Sequence, residues 1–589
     1  MESVINLLYW EKLHASELNA MKIARFMGRE IKPVQLTRES LNGSQSLHNS
    51  LPADACVVTS AHTLSEVCRP EHGGAESLGI IRRVTANGFI YGFEPTQPHG
   101  VVLRELTAES FLGVEPLKSE DSIFSVRQDA RDICRQFAGL SFGKADPDTD
   151  LAFVKGTSQR HCSSLIEIGE RPFFVRAREG ERQWLFVACR EIADLDGVVP
   201  RDTSILKYFS GIAPLMMFIA AASPDQCWHN DAPRACFILD DPLLKERYGF
   251  LDYHRLLDLM EREQFCTSIA FIPWNFNRSE REMAEVFTAH PERYSLSIHG
   301  CDHTRGEFGA TNRLVLHERA HQALDRMTQH RKLSGVEFDK VMVFPQGIFS
   351  TAAMEALKSC GYLAAVNSTP YPVDASDHLT LSDLLQVAVT RFSNFPLFTR
   401  HYPPSVAELA FDLFVGKPAL LVEHHGFFRD GYAPLAEIVE KLYRLDERLQ
   451  WASLETTCSQ ACLKKIAGNG SVHVLFFTDR FCLRNETGQP QQYTLFRRAL
   501  PEEAVKAVTV NGWTVDIGRE GDVVNTQLSL GHGESAVIEV EHDGVEPIAE
   551  PGRQNRMYKA KVFVRRSLSE FRDNYVDTNS FLGKAPRSR

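Results

Sequence analysis

Several broad protein classes are excluded by what this chain has too little of. Its thirteen cysteines are odd in number and scattered without framework spacing, so no disulfide scaffold is implied. Cys458 and Cys462 lie one helical turn apart, but no histidine or second cysteine pair stands near them, and they read as packing residues. Positive charge is also short: 76 acidic against 65 basic residues leave a net charge of −11. A nucleic-acid binder needs a basic face to meet phosphates, which argues against that role for the chain as a whole. No segment approaches the ~20 apolar residues of a membrane span. The start, Met1-Glu2-Ser3-Val4-Ile5-Asn6-Leu7-Leu8-Tyr9-Trp10, is acidic with a short apolar stretch and makes a poor secretory signal. The expectation is a reduced, cytoplasmic protein. There is no phosphate-binding loop and no internal repeat.

What is present is a globular composition, 43% hydrophobic and 24% charged over 589 residues, enough for about three domains. Residues 1–222 mix apolar runs such as Ala55–Thr59, Gly88–Tyr91 and Trp184–Cys189 with helical patterns near 127–138 and 203–222, an α/β domain of unknown role. Ser60-Ala61-His62 follows a strand there, but with no nucleophile constellation it reads as a turn. Residues 230–466 alternate strand and helix closely. Helix candidates are Leu251–Glu263, Arg281–His290, Arg313–Lys332, Thr351–Cys360, Val406–Val415 and Leu435–Leu449. Strand candidates, besides 234–239, are 266–273, 294–298, 340–344, 363–367, 386–391 and 418–423. That rhythm demands parallel strands with crossover helices, and a barrel accommodates it. Residues 470–545 carry short strands between turn signals, with Asn511-Gly512 a hairpin signal, and read as a small β-sandwich accessory domain. Residues 546–589 form a basic tail: from Arg553 onward ten Lys or Arg face three Asp or Glu. It reads as a solvated, partly ordered end or as a segment that touches an anionic partner.

The chemistry is concentrated at two strand ends. Phe237-Ile238-Leu239-Asp240-Asp241-Pro242 and Ser297-Ile298-His299-Gly300-Cys301-Asp302-His303 place adjacent carboxylates and two imidazoles directly after apolar runs. In α/β proteins, polar residues after buried strands are where active sites are built. His-x-x-x-His puts both rings on one side of a tight turn or nascent helix. A carboxylate and two neutral imidazoles suit zinc or a similar divalent ion and leave positions open for water and substrate. Such an ion lowers the pKa of bound water from about 15.7 toward about 7, so a spare carboxylate can take its proton at neutral pH. Asp240 and Asp241 could instead cap a helix after Pro242. Against that, two adjacent carboxylates after a strand are an electrostatic cost unless a cation sits there. Trp274 and Asn275, after the strand reaching Pro273, offer a sugar-stacking ring beside a side-chain amide, or ordinary packing.

These segments resemble the polysaccharide deacetylases of the NodB-homology type, carbohydrate esterases (family 4-like) on a distorted (β/α) barrel. By that resemblance Asp240 is the general base, and Asp241, His299 and His303 hold the metal, zinc foremost with cobalt, nickel or iron also suited. Phe344-Pro345-Gln346-Gly347-Ile348-Phe349-Ser350 resembles the Pro-x-Gly motif, so Pro345 and Gly347 shape one wall of the groove. Leu420-Leu421-Val422-Glu423-His424-His425-Gly426 resembles the Leu-x-His motif, whose histidine is the general acid. His425, at the strand mouth beside Gly426, is preferred over His424, with the register open by a residue.

Two departures mark a divergent branch. Val343 and Phe344 stand where the family carries an arginine that orients the base, and no Asp-x-x-Asp-Trp segment appears between Leu363 and Arg391. The expected activity is metal-dependent hydrolysis of an acyl group, acetyl above all, from an N- or O-acetylated carbohydrate. The alternatives are a catalytically inactive carbohydrate-binding protein and a glycoside hydrolase on the same barrel, which would need a second acid about 5–9.5 Å across the sugar. Oligomeric state is open.

Overall fold

The computed structural model describes residues 4–38, 51–72, 74–118, 122–157, 162–374, 378–499, 505–542 and 556–576. The chain folds as two compact units. The first comprises Met1–His229 with two short returns, Thr380–Ser382 and Lys464–Ser471. Its centre is a nine-stranded mixed sheet. Four parallel strands, Ile31–Leu36, Ile5–Trp10, Ala55–Ser60 and Thr85–Tyr91, continue through Arg182–Val187 into antiparallel strands. Ser60 caps the helix Ala61–Val67 by accepting from the Thr63 N–H at 3.2 Å, so the turn reading of Ser60-Ala61-His62 holds. The stretch Ile205–Ala222 is long and apolar enough to cross a membrane by composition, which the sequence reading overlooked. Of that window, 72% is buried in the fold.

The second unit holds the candidate site. Its main sheet runs through β1 (Arg234–Asp240), β2 (Thr267–Phe271), β3 (Tyr294–His299), β4 (Val341–Val343), β5 (Ala364–Asn367), β6 (Leu397–Thr399) and β7 (Ala419–His424). The spatial order is β6-β5-β4-β3-β2-β1-β7, every pair parallel. A short strand, Gln450–Trp451, also pairs with β1. The crossover helices are α1 (Tyr253–Glu263), α2 (Arg281–Ala289), α3 (Arg313–Ser334), α4 (Thr351–Ser359), α5 (Val406–Phe414) and α6 (Ala433–Leu445). Strands covered on both faces must be apolar throughout, and β2, β4 and β5 are buried at every position.

The sheet curls until its edges meet. His401, just past β6, bridges Leu421 of β7: its N–H donates to the Leu420 carbonyl at 2.8 Å, and its own carbonyl accepts from Val422 at 3.0 Å. Buried Asp412 on α5 fixes this seam, pairing with His401 Nε2 at 2.8 Å and Lys417 Nζ at 3.2 Å. All seven strands therefore deliver their C-terminal ends to one rim.

The expected strand 386–391 is not one. Only Val389 bridges, antiparallel, to Leu397, and the strand that joins the sheet is Leu397–Thr399. Both runs are short and apolar, and positive φ at Ser393 and Asn394 makes the turn between them. Nothing in a periodicity separates two such candidates.

Past the barrel, one sheet runs through Val472–Phe476, Gln491–Arg498, Val523–Leu530 and Gly518–Glu520, and another through Arg480–Arg484, Ser535–His542, Val505–Val510 and Trp513–Val515. Buried residues of both sheets, among them Phe476, Leu495, Phe481 and Ile538, make one core. Asn511 and Gly512 both take positive φ, 51° and 81°, in the turn joining Val510 to Trp513, as a type I′ hairpin requires.

The part of the expected basic tail that is described, Arg556–Val576, is helical; residues 546–555 and 577–589 lie outside the described residues. A cleft of about 1000 Å³ opens at the opposite, N-terminal ends of the barrel strands, beside Tyr294, Lys340 and Leu363.

Candidate active site

Asp240 ends β1 in a parallel register opposite Ala270 on one side and His424 on the other. The next residue, Asp241, takes φ = +83°. A left-handed backbone at a non-glycine residue costs about 1–2 kcal/mol, and such strain collects where a side chain must be aimed. Here it turns the Asp241 carboxylate toward the end of β3, where His299 stands. His303 repeats the device at φ = +53°.

The two histidines are joined by a turn, so of the two conformations open from the spacing the tight turn is the one adopted. Gly300 is required in it. Its φ is +66°, and a Cβ there would lie 2.5 Å from Pro345 Cγ and 2.2 Å from Glu307 Oε1. Glu307 holds the turn. Its carboxylate accepts from the backbone N–H groups of Cys301 (2.9 Å), Asp302 (3.1 Å), His303 (3.0 Å) and Thr304 (3.4 Å). The residue is 3% exposed. Only the position of Glu307 four residues past His303 could have hinted at this.

Asp241, His299 and His303 converge. Asp241 Oδ1 lies 3.6 Å from His299 Nε2 and 3.1 Å from His303 Nε2. One ligand atom from each of the three lies within 4.8 Å of the others. His299 Nδ1 donates to the Val343 carbonyl at 3.0 Å, which fixes the tautomer and leaves the Nε2 lone pair facing the cluster. Asp241 Oδ1 is buried without a hydrogen-bond partner. Burial alone would raise the pKa of this carboxyl, but its electrostatic interactions with the His303 and His299 rings, with Arg566 and with His424 hold it well below the usual range. Burial pushes His303 down, and Asp241 only partly counters that. The ring is therefore neutral at pH 7 and can offer its nitrogen to a cation.

Asp240, 3% exposed, receives a two-pronged clamp: Arg400 Nη1 donates to Oδ1 at 2.8 Å and Nη2 to Oδ2 at 2.7 Å. Burial would raise this carboxyl too, and Arg400, helped by His299 and His424, overrides it and keeps it low. Arg400 lies just past β6, in a part of the sequence carrying no motif. A bidentate guanidinium fixes orientation as well as charge.

His424 and His425, between which the sequence preferred His425, part company. His424 ends β7 beside Asp240, is exposed, and its charge acts on both Asp240 and Asp241. His425 turns away. It is 9% exposed and packs among Tyr248, Phe250 and Asp573, the last 3.7 Å from its Nε2. Adjacent residues leaving a strand point to opposite sides, so only one of the pair can serve the rim.

Of the expected sugar-contacting residues, Asn275 is corrected. It is 1% exposed, and its Oδ1 accepts from Arg278 at 3.1 Å, leaving it no surface for a ligand. Trp274 is half-buried, with the Arg326 guanidinium 5.0 Å from its ring centroid. Pro345 is buried against Gly300. Gly347, at φ = +68°, offers its carbonyl to Asn367 Nδ2 at 3.0 Å. Both shape backbone behind the cluster.

No model of a known protein family matches this chain, and no curated protein matches it. Among solved structures it is similar to the carbohydrate deacetylase Agd3, at 9% identity over 91% of this chain and 98% of that one, with a TM-score of 0.45. It is similar over 38% of its length to a family 4 carbohydrate esterase from Streptomyces lividans in complex with acetate, at 9% identity, 92% of that chain and a TM-score of 0.24. A variant of the peptidoglycan deacetylase PdaC from Bacillus subtilis matches over the same share, at 10% identity, 90% of that chain and a TM-score of 0.25.

Proposed function

We infer that the barrel removes an acyl group, acetyl above all, from an N- or O-acylated carbohydrate with the aid of a divalent ion. One observation carries this reading: three ligand atoms from Asp241, His299 and His303 within 4.8 Å of one another, beside a second carboxylate that Arg400 keeps ionised. The residues fit the ion. A carboxylate oxygen without a hydrogen-bond partner, a neutral His303 and a tautomer-locked His299 are donors of the kind a cation takes, and a one-carboxylate, two-imidazole set suits zinc first, then cobalt, nickel or iron.

Bound there, the ion supplies Lewis acidity and a lowered pKa for water. The rest falls to the protein. Asp240, held ionised and oriented, accepts the proton of the attacking water. His424, exposed at the rim on the other side of β1, delivers a proton to the leaving amine or alcohol. Glu307 and Gly300 keep His303 from drifting out of register with His299, and Pro345 backs the same turn. Carbohydrate as the substrate rests on the motif resemblance and on half-buried Trp274. A glycoside hydrolase needs a carboxyl kept protonated by a raised pKa. Asp240 and Asp241 are both lowered, so that alternative is not favoured.

After reconstitution the purified protein is expected to hold about one equivalent of zinc or cobalt. Chelation should abolish acetate release from a panel of acetylated sugars. Failure of the wild type to retain metal, or unchanged retention in Asp241→Asn, overturns the assignment.

A further inference from the structure

The helix Arg556–Phe571 and the turn after it lie against the catalytic rim of the same unit. The positions on its inner face recur every three to four residues, the spacing of one helical face: Tyr558, buried Val562, Arg566, Glu570 and Asp573. The Tyr558 hydroxyl donates to Asp302, the neighbour of His303, at 2.8 Å. Glu570 pairs with Lys245 at 2.8 Å and with Arg278. At the far end, the Tyr248 hydroxyl donates to Asp573 at 2.9 Å, and the Gly249 N–H donates to the Asn574 side chain at 2.8 Å. Both ends of the segment are therefore anchored, one of them one residue from a candidate metal ligand.

Arg566 falls between these anchors. It is 5% exposed, its Nε is buried without a hydrogen-bond partner, and the side chain makes no hydrogen bond or ion pair among the described residues. The groups its charge acts on are Asp241, His303 and Tyr248. Burying the Nε–H of a guanidinium without a partner is expensive. Every other polar residue named on this face has found a partner. A planar fork of donors, held between anchors that reach Asp302 and Tyr248, matches a carboxylate, sulfate or phosphate.

We propose that Arg566 forms an anion-binding subsite beside the Asp241, His299 and His303 cluster, and that the acylated carbohydrate this site takes carries an acidic group near the acyl-bearing carbon. The identity of the substrate rests on the reading given under Proposed function; the anion subsite does not. The anion would complete the hydrogen bonding of Arg566 and place the acyl group over the cluster. A neutral sugar would leave the guanidinium unpaired.

The test uses the full chain, with Arg566→Leu and Arg566→Lys. Thermal unfolding of the metal-free proteins is followed with sodium sulfate against sodium chloride of matched ionic strength. Sulfate should raise the Tm of the wild type by a few degrees beyond chloride, leave Arg566→Leu unmoved and act partly on Arg566→Lys, as preferential binding to the folded state requires. With zinc-loaded protein, Arg566→Leu should raise KM at least tenfold for an N-acetylated aminouronate and less than twofold for N-acetylglucosamine. No sulfate effect on the wild type, or an equal effect on Arg566→Leu, overturns the subsite. Faster release from the neutral sugar by Arg566→Leu would make Arg566 an occluding cation and overturn it as well. Sulfate binding lost in Arg566→Leu, with no acetate released from either sugar, keeps the subsite and overturns the deacetylase reading.

Discussion

Replacing Arg400 by methionine removes the clamp on Asp240 while keeping the volume of the side chain's stem. Both partners are about 4% exposed and meet through two short bonds, so the substitution strands a carboxylate in the rim of the barrel. Breaking a buried pair by removing one member costs about 3–5 kcal/mol. Asp240→Asn should cost a similar amount, because it leaves the guanidinium stranded instead. The double variant should lose much less than the sum, since both charges are gone, giving a coupling energy well above the ~0.5 kcal/mol scatter of independent sites. Denaturant unfolding of the four proteins measures this. Activity adds a second readout: without Arg400 the pKa of Asp240 rises, so the acid limb of the kcat/KM profile should move toward higher pH in Arg400→Met. If the two single losses add within about 0.5 kcal/mol and the acid limb stays in place, Arg400 does not set the state of Asp240.

Three further outcomes are expected. Glu307→Ala takes the acceptor from four backbone N–H groups at once and should cost at least about 3 kcal/mol in unfolding, with metal affinity reduced about 10–100-fold as read by chelator competition. Gly249→Ala combines φ = +59° with a Cβ only 2.2 Å from His425 Nδ1, so denaturant unfolding should show a loss of about 2 kcal/mol or more. Asp339 is pushed up to about 7, by burial first and by Glu455 second. The folded state keeps that proton up to about pH 7, while the unfolded chain releases it near the ordinary value of 3.8. The group's contribution is therefore full below about pH 4 and declines as pH rises to about 7, by about 4 kcal/mol in all at 1.36 kcal/mol per unit. Asp339→Asn should flatten that slope in a stability profile, and an unchanged slope would refute the assignment.

The alternation of apolar runs and amphipathic helices in residues 230–466 was enough to establish a parallel sheet with crossover helices, because those periodicities are local. It also placed Asp240, Asp241, His299 and His303 at strand ends, and the hairpin at Asn511-Gly512 followed from its own backbone chemistry. Other assignments turned on contacts between residues far apart in the chain. Arg400 meets Asp240 across 160 positions. Glu307 is recognised as the keystone of the turn only once its oxygens are seen to collect four N–H groups. The choice between His424 and His425 depends on the last φ and ψ of β7, which a one-residue uncertainty in register conceals. The C-terminal helix meets the rim across 256 to 325 positions, and its composition resembles that of any basic tail. Local sequence decides which elements form; side-chain charge, satisfied or left unpaired when those elements pack, decides what the site becomes.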